Sequence, residues 1–244
     1  MRIVFMVKLR SIRRAGTLRA FPGSMAVRLR KPPPEDVPGA EGFLPVRRTL
    51  TAMRSAVQTC HGCTLYRGAT QAVFGEGSAH ARVVLIGEVP GDSEDLAGKP
   101  FVGPAGRLLD EALGVAKIPR TDVYVTNAVK HFKFTRRGKR RIHDKPDRYE
   151  IAACKPWLAA ELEAIDPDIV VLLGATAAQS LLGSAFRVTK ERGHVLDTEL
   201  ATWTFATVHP ASVLRAPDDE ARAVAKEELF ADFELVGDYF RKLA

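Results

Sequence analysis

The stretch RVVLIGEVPGDSEDLAGKPFVGPAGRLLD at residues 82–110 decides the fold. It begins with a short, β-branched apolar run (82–87), passes through a loop dense in glycine and proline, and resumes a helical pattern at Ala105. A near-continuous apolar run of this length is typical of a strand that is covered on both faces. Glycine and proline at this density impose a tight loop whose backbone can approach a ligand closely. The stretch therefore predicts a strand, a ligand-facing loop and a helix in succession.

The same apolar signature recurs three more times along the chain. The predicted strands cover residues 82–87, 122–126, 168–173 and 202–208. The predicted helices cover residues 105–115, 147–165, 176–182 and 218–243. Alternating strands and helices are the pattern of a parallel sheet with helices on both faces. We therefore predict an α/β fold.

Composition bounds the class of protein. The chain has 244 residues, of which 46% are hydrophobic and 27% charged, which suits one large or two small globular domains and excludes a collagen-like chain or a disulfide-stapled miniprotein. No apolar stretch approaches the roughly 18 residues needed to cross a bilayer, and the opening MRIVFMVKLR is charged too early for a secretory signal. We expect a soluble, cytoplasmic protein without membrane contact.

The net charge of +7 is unevenly distributed. Residues 1–50 carry eleven Lys and Arg against three acids, a net +8, and residues 130–148 carry nine against two, a net +7. The remaining residues are therefore acidic in sum. Two basic patches on an acidic body indicate a polyanionic partner at those patches.

Residues 1–44 read as a basic, disordered N-terminal arm, with no acid before Glu35 and three consecutive prolines at 32–34. The arm is interpreted as a non-specific DNA-binding tail, as an over-extended start with translation beginning at Met25 or later, or as an Arg-rich transit peptide. The folded domain is predicted to cover residues 45–244.

Polar side chains follow three of the predicted strands. Glu88 follows the first strand, Asn127 the second, and His209 with Ser212 the last. Because the carboxyl ends of parallel strands meet at one edge of the sheet, we expect these groups to share a site. The carboxamide of Asn127 can read the edge of a base or simply cap a turn. The glycine-rich loop is neither a dinucleotide-binding fingerprint nor a Walker loop.

The cysteines form a separate signal. Three are too few and too odd in number for a disulfide framework, and Cys60 and Cys63 in TCHGC have the spacing of a metal or redox clip. Cys154 lies far downstream on a predicted helix, so a four-coordinate site lacks one ligand.

At this point the motifs resemble a known family. The segments GEVPGDSEDLAGKPFVGPAGRLLD (87–110), TNAVKHFKF (126–134) and HPASVLR (209–215) resemble the family-4 iron–sulfur uracil-DNA glycosylases. KRRIH (139–143) resembles the signature of their UdgX-type branch. The resemblance implies a three-layer α/β/α sandwich with a four-stranded, mainly parallel sheet. It also implies a DNA-repair enzyme of the bacterial cytoplasm or nucleoid that extrudes uracil and breaks its N-glycosidic bond.

The resemblance assigns roles to individual residues. Phe101 would stack on uracil, Asn127 would pair with its edge, and His209 would donate to the O2 atom that gains negative charge. Other residues would contact the base or the DNA, with Leu214 or Arg215 filling the gap in the duplex. These further substrate-binding candidates are Gly87, Arg141, Ser212 and Arg215.

In the UdgX-type branch the histidine of KRRIH, here His143, captures the sugar C1′ and stays covalently joined to it. Glu88 is the candidate base for that step. Two alternatives stay open: a conventional hydrolase in which Glu88 or Asp92 orients water, and a non-catalytic sensor of uracil-containing DNA. The motif departs from the expected GEQPG at Val89. If the Gln amide holds uracil or positions the histidine, its loss should weaken recognition or slow the covalent step.

The family also implies a metal site and a partner. His131 stands where relatives carry a third cysteine, so the expected ligands of a [4Fe–4S] cluster are Cys60, Cys63, His131 and Cys154. Zinc is the alternative, and His61 is a rival ligand. We expect a monomer acting on uracil-containing DNA, single-stranded and possibly double-stranded, and releasing uracil.

Overall fold

The computed structural model describes residues 37–243. Its strands, in chain order, are β1 (Val83–Gly87), β2 (Val123–Asn127), β3 (Phe134–Arg137), β4 (Arg140–His143), β5 (Ile169–Leu173) and β6 (Trp203–Thr207). Four of them form one parallel sheet in the order β2-β1-β5-β6. These four are the predicted strands, so the predicted parallel sheet is confirmed.

The helices of the described residues surround this sheet. They are α1 (Leu50–Ala56), α2 (Asp92–Ala97), α3 (Pro104–Ala116), α4 (Arg148–Ile165), α5 (Ala175–Leu182), α6 (Val188–Glu191), α7 (Pro210–Leu214) and α8 (Asp219–Arg241). Short 3-10 helices cover Glu41–Phe43, Val57–Thr59, Thr64–Arg67 and Arg120–Asp122. The four predicted helices correspond to α3, α4, α5 and α8. None of the helices in the described range is long and apolar enough to cross a bilayer.

Helix starts follow local capping chemistry. Asp147 caps α4 by accepting hydrogen bonds from the backbone of Tyr149 and Glu150, and the Glu150 side chain accepts from the Asp147 backbone in return. The Asp218 side chain caps α8 by accepting from the Ala221 backbone, without a return bond. These bonds satisfy backbone donors that a helix leaves free at its first turn.

The sheet is covered on both faces. Along β1, Val83 and Leu85 point to one face and Val84 and Ile86 to the other, as strand geometry requires. The first face packs against α3, α7 and α8, and the second against α4, α5 and α6. The expected three-layer α/β/α sandwich is therefore confirmed, and it places the carboxyl ends of the strands at one open edge.

The basic segment after β2 forms a β-hairpin. Strands β3 and β4 pair antiparallel as a separate two-stranded sheet, and Gly138 in the turn has a φ of 59°. Sequence analysis identified only a basic patch here. Gly138 in FTRRGKRRIH is a turn signal, but the segment lacks the alternation of apolar and polar residues that predicts strands.

The packed domain begins upstream of the predicted boundary after residue 44. Val37 and Ala40 are buried, and the Ala40 backbone donates a 2.8 Å hydrogen bond to the carbonyl of Ala153. Gly62 must be glycine here, because a Cβ would lie 2.8 Å from the Ala40 nitrogen. These contacts correct the boundary to include residues from Val37. The rest of the predicted arm, residues 1–36, lies outside the described residues.

Candidate active site

The floor of the site is formed where β1 and β2 end side by side. Gly87 and Asn127 are paired in register, and Asn127 is almost completely buried. A Cβ on Gly87 would lie 2.3 Å from Oδ1 of Asn127 and 2.7 Å from the ring of Phe101. The absence of a side chain at Gly87 therefore lets the carboxamide and the aromatic ring meet over the strand end.

The loop after β1 holds Phe101 in an unusual backbone conformation. Its φ is 56°, in the left-handed region that non-glycine residues seldom adopt. Gly106 makes this possible, because a Cβ there would lie 1.6 Å from the Phe101 carbonyl oxygen. The Phe101 ring stands nearly parallel to the His209 imidazole, with an interplanar angle of 22° and centroids 6.1 Å apart. The loop thus delivers an aromatic face to the strand-end residues.

His209 is held as a neutral imidazole with a defined tautomer. Its Nδ1 accepts a 3.1 Å hydrogen bond from the Ala211 backbone at the start of α7, so the ring proton resides on Nε2. Burial, assisted by the positive charge of Arg215, lowers the pKa of His209 to about 4. At neutral pH, His209 therefore presents an N–H donor without a net charge.

Gly174, directly after β5, supports His209 from behind. A Cβ at Gly174 would lie 2.9 Å from the Cβ of His209, and its φ of 89° strains any other residue. Sequence analysis missed this position, because a glycine after a strand reads as an ordinary turn residue.

Glu88 and His143 lie close enough for the charge of Glu88 to act on the imidazole. Oε1 of Glu88 is buried without a hydrogen-bond partner among residues 37–243. His143 remains solvent-accessible, yet desolvation lowers its pKa. The carboxylate of Glu88 opposes that shift, whereas the charge of Arg215 adds to it. The structure thus brings a nucleophile candidate, a free carboxylate oxygen and a cation into one electrostatic group.

An ion-pair clamp holds the hairpin in this position. Arg141 donates through Nε to Asp92 and through Nη1 to Asp95, both at 2.5 Å. Asp95 is fully buried and also accepts from the backbone and hydroxyl of Thr70 at 2.9 and 2.6 Å. Asp92 and Arg141 were predicted to orient water and to contact substrate. Here they bind each other, and those two roles stay predictions.

The clamp also fixes where His143 points. Residues two apart on a strand share a face, so Arg141 and His143 project from the same side of β4. The Arg141 guanidinium lies 5.3 Å from the ring centroid of Phe132 and 5.2 Å from that of Phe134. These contacts immobilise the hairpin face that carries His143.

The short helix α7 completes the rim. The Ser212 hydroxyl donates a 2.6 Å hydrogen bond to the His209 carbonyl, which ties that residue to the helix start. Arg215 lies exposed at the end of α7, where its charge acts on both His143 and His209. Leu214 is 38% exposed beside it. Leu214 and Arg215, the two residues predicted to enter DNA, are therefore exposed at the end of α7.

The three cysteines are grouped in the interior. Cys60, Cys63 and Cys154 are all buried and form no disulfide. The charge of Cys60 acts on Cys63, and the charges of Cys63 and Cys60 act on Cys154. Burial raises the pKa of Cys63 to about 11 and that of Cys154 to about 12. Trp157 Nε1 donates to the Cys60 sulfur at 3.2 Å. Because burial raises the pKa of both thiols, Cys63 and Cys154 lose their protons at neutral pH when a metal binds them.

His131 is a suitable fourth donor. It is 5% exposed, and burial lowers its pKa to about 4, so its imidazole is neutral and can ligate a metal. The preceding residue, Lys130, donates its backbone N–H to the Cys154 sulfur at 3.3 Å. The rival His61 is exposed and stacks on Tyr66 with centroids 4.1 Å apart. Buried thiols with a neutral imidazole fit an iron–sulfur cluster chemically.

Zinc stays the alternative to a cluster. Within the described part of the chain, no three His, Cys, Asp or Glu side chains are arranged to hold one ion. Zinc and a cluster both take thiolate and imidazole ligands, so the same four residues suit either group chemically.

Val89 faces the cysteines rather than the base pocket. It is 7% exposed and belongs to the apolar cluster that contains Cys60, Cys154 and Trp157. The departure from GEQPG therefore changes the surroundings of the cysteines. It removes no group from the pocket formed by Gly87 and Asn127.

Comparison with known proteins identifies the family. Residues 74–234 match the uracil DNA glycosylase superfamily. The chain belongs to this superfamily. It is 40% identical to the type-4 uracil-DNA glycosylase of Thermotoga maritima over 71% of this chain and 87% of that protein. It is 36% identical to the type-4 enzyme of Archaeoglobus fulgidus over 75% and 88% of the two chains. The corresponding protein of Pyrobaculum aerophilum is also 36% identical, over 69% and 86%.

The type-4 relatives confirm the family-4 part of the resemblance, and the UdgX-type branch stays a prediction. In this uracil-DNA glycosylase the strand ends bring together Gly87, Glu88, Asn127 and His209, with Ser212 bonded to His209. His143 and Arg215, which the resemblance also selected, join them from distant segments. The residues that sequence reasoning missed are Asp95, Gly174 and the buried pair of Lys130 and Glu161. A buried acid or lysine whose partner lies far away in the sequence leaves no local sequence pattern from which the pair could be predicted.

Proposed function

We propose that this uracil-DNA glycosylase excises uracil and that His143 then bonds covalently to the exposed sugar carbon. The observation that carries the second step is the buried, unpartnered Oε1 of Glu88, whose charge acts on His143. An unpaired buried carboxylate oxygen costs free energy unless a donor arrives during the reaction. A proton leaving an imidazole that attacks C1′ is such a donor.

Excision uses the strand-end pocket. An extruded uracil would stack on Phe101 and pair with the carboxamide of Asn127. As the bond between uracil N1 and C1′ breaks, its electron pair leaves with the base and negative charge grows on O2. The neutral Nε2–H of His209 donates a hydrogen bond to that oxygen. The lowered pKa of His209 keeps its ring neutral at physiological pH. Because a neutral imidazole is a far weaker acid than imidazolium, it stabilises this charge without surrendering its proton.

Capture uses the hairpin. The sugar left behind carries positive charge at C1′, and the lone pair of a neutral His143 ring nitrogen forms the new C–N bond. The imidazole becomes cationic on bonding, and its remaining N–H proton passes to Glu88, which restores a neutral ring. The departed uracil anion is protonated from solvent. Imidazole is a poor leaving group, so the adduct persists and turnover stops.

The outer face of the hairpin suits DNA phosphates. Arg137 and Arg140 are exposed cross-strand partners, and Lys139 lies between them in the turn. None of the three forms an ion pair within residues 37–243. Like charges directly opposite each other destabilise a sheet unless an anion lies between them. A phosphate would relieve that repulsion, and single strands place phosphates and bases within reach of both hairpin faces.

We further propose a [4Fe–4S] cluster on Cys60, Cys63, His131 and Cys154. When bound, it would supply a covalent cross-link between the segment before β1, the turn after β2 and helix α4. Thr70 bonds to Asp95 of the hairpin clamp, and a Cβ on Gly68 would lie 3.6 Å from the Phe134 ring. The cysteine-bearing segment thus supports the hairpin, and its stability governs the position of His143.

A conventional hydrolase is the second candidate, because the free oxygen of Glu88 could orient a water molecule instead. A denaturing gel with single-stranded uracil-containing DNA separates the two. Capture predicts a shifted, denaturant-resistant band that is lost in His143→Ala. Hydrolysis predicts abasic DNA with multiple turnovers and no such band, and that result would overturn the capture proposal.

A further inference from the structure

We propose that Lys130, paired with Glu161, is a positioning residue that aims the carboxamide of Asn127 at the extruded base. The inference rests on the proposed function, in which Asn127 reads uracil. Lys130 is fully buried. Its Nζ donates to the backbone carbonyl of Asn127 at 2.8 Å and to the Thr126 hydroxyl at 2.7 Å. Its third partner is the carboxylate of Glu161, which is also fully buried.

The hydrogen bonding of this pair is complete. All three Nζ donors of Lys130 are used. Glu161 accepts additionally from the Tyr124 hydroxyl at 2.8 Å, the Thr126 hydroxyl at 3.0 Å and the Gly75 backbone at 3.1 Å. A buried ion pair with full partners is costly to build, and apolar residues of similar volume often serve stability as well. Stability alone is therefore a weak reason for placing two charges here.

The position of the pair supplies a better reason. Asn127 ends β2, and its backbone leaves the sheet through a turn that Lys130 closes by bonding back to the Asn127 carbonyl. The next two backbone N–H groups, of Ala128 and Val129, bond to the carbonyls of Gly87 and Glu88. Lys130 thus fixes the backbone carbonyl of Asn127. The side chain of Asn127 must in turn lie beside Phe101 above Gly87. A displacement of about 1 Å at a reacting or reading group can cost on the order of 100-fold in rate.

The test removes both charges together, so that neither is left buried alone. In Lys130→Met/Glu161→Gln, methionine keeps the lysine stem volume and glutamine keeps an acceptor for Tyr124. The matched control is Tyr124→Phe, which deletes a hydrogen bond to Glu161 without touching Asn127. Thermal midpoint and iron content are measured first, followed by single-turnover release of uracil as a function of DNA concentration.

We expect the double variant to keep its thermal midpoint and iron content near those of the parent and to lose about 10- to 100-fold in the rate of uracil release at saturating DNA. Tyr124→Phe should keep the parental rate. The decisive readout is coupling: in an Asn127→Ala background the double change should cost nothing further, because the residue it positions is gone. An equal, additive loss in both backgrounds would overturn the inference.

Two further variants, Thr126→Val and Asn127→Ala, keep the inference testable. If the double variant does not fold, the isosteric Thr126→Val removes one Lys130 partner and should show a smaller loss with the same dependence on Asn127. A full rate in Thr126→Val would then count against the positioning role. If Asn127→Ala itself releases uracil at the parental rate, the proposed reading role of Asn127 fails. If Asn127→Ala releases uracil more slowly while the double variant keeps the parental rate, only the inference about Lys130 is refuted.

Discussion

The carboxylate of Glu88 acts on the imidazole of His143 across the mouth of the pocket. Its negative charge favours protonation of His143, against the desolvation and the Arg215 charge that together lower the pKa of that histidine. Glu88 comes from the end of β1 and His143 from a hairpin strand outside the main sheet. The proposed covalent capture depends on this relationship.

Replacement of Glu88 by glutamine should slow capture by about 100-fold, because a positioned base is typically worth 10²–10⁴ in rate. Adduct formation is followed by denaturing gel under single-turnover conditions. Asp144→Asn is the matched control, since Asp144 is an exposed acid that also acts on His143. Equal rates in Glu88→Gln and the parent would remove Glu88 from the step.

The rate of adduct formation should rise with pH through a pKa below 6.5 and level off near neutrality, because only neutral His143 offers a lone pair. Arg215→Ala removes a positive charge that disfavours protonation, so the rising limb should move to higher pH. Glu88→Gln should move it to lower pH. Single-turnover rates at saturating DNA between about pH 5 and 8 test both signs. A shift in the opposite direction for either variant would contradict the charge arrangement.

Loss of the hairpin clamp should separate capture from excision. Arg141→Ala frees Asp92 and Asp95 and leaves the pocket residues in place, so uracil release should persist while adduct yield falls about tenfold or more. Both products are quantified from one reaction. Arg222→Ala is the control, because within residues 37–243 Arg222 pairs with Asp219 of the same helix, α8, and with no other acid. A parallel fall in release and adduct would indicate that the clamp supports the whole site.

The outer hairpin face predicts a salt effect. Arg137→Ala and Arg140→Ala should each reduce the slope of log affinity against log salt by about 0.7 for single-stranded DNA, as expected for one lost phosphate contact. The binding of an uncleavable uracil-containing strand is measured by fluorescence anisotropy at several salt concentrations. An unchanged slope in both variants would place the phosphate path elsewhere.

Val89→Gln should destabilise the protein without impairing uracil recognition. An amide buried without partners beside Cys60 and Trp157 costs about 1–3 kcal/mol, so the thermal midpoint and iron retention should fall. Uracil release by the folded fraction should stay at the parental level. A loss of release with an unchanged midpoint would show that this side chain faces the base after all.

Much of the molecule follows from local sequence. The four β-branched runs become the four parallel strands because their apolar faces are satisfied only between two helical layers. The rule that strand ends share an edge then selects Glu88, Asn127 and His209 before any coordinates are known. The family resemblance added His143 and the fourth cluster ligand, and the superfamily is confirmed.

Tertiary structure alone decided how those residues are oriented and supported. Arg141 binds Asp95 across 46 residues of sequence, and Lys130 binds Glu161 across 31. Neither pairing leaves a periodic pattern, because a long-range ion pair depends on which elements happen to pack together. The direction of the Val89 side chain depends on the backbone conformation of the loop after β1. Sequence determines what each strand end carries, and packing between distant segments determines where those groups point.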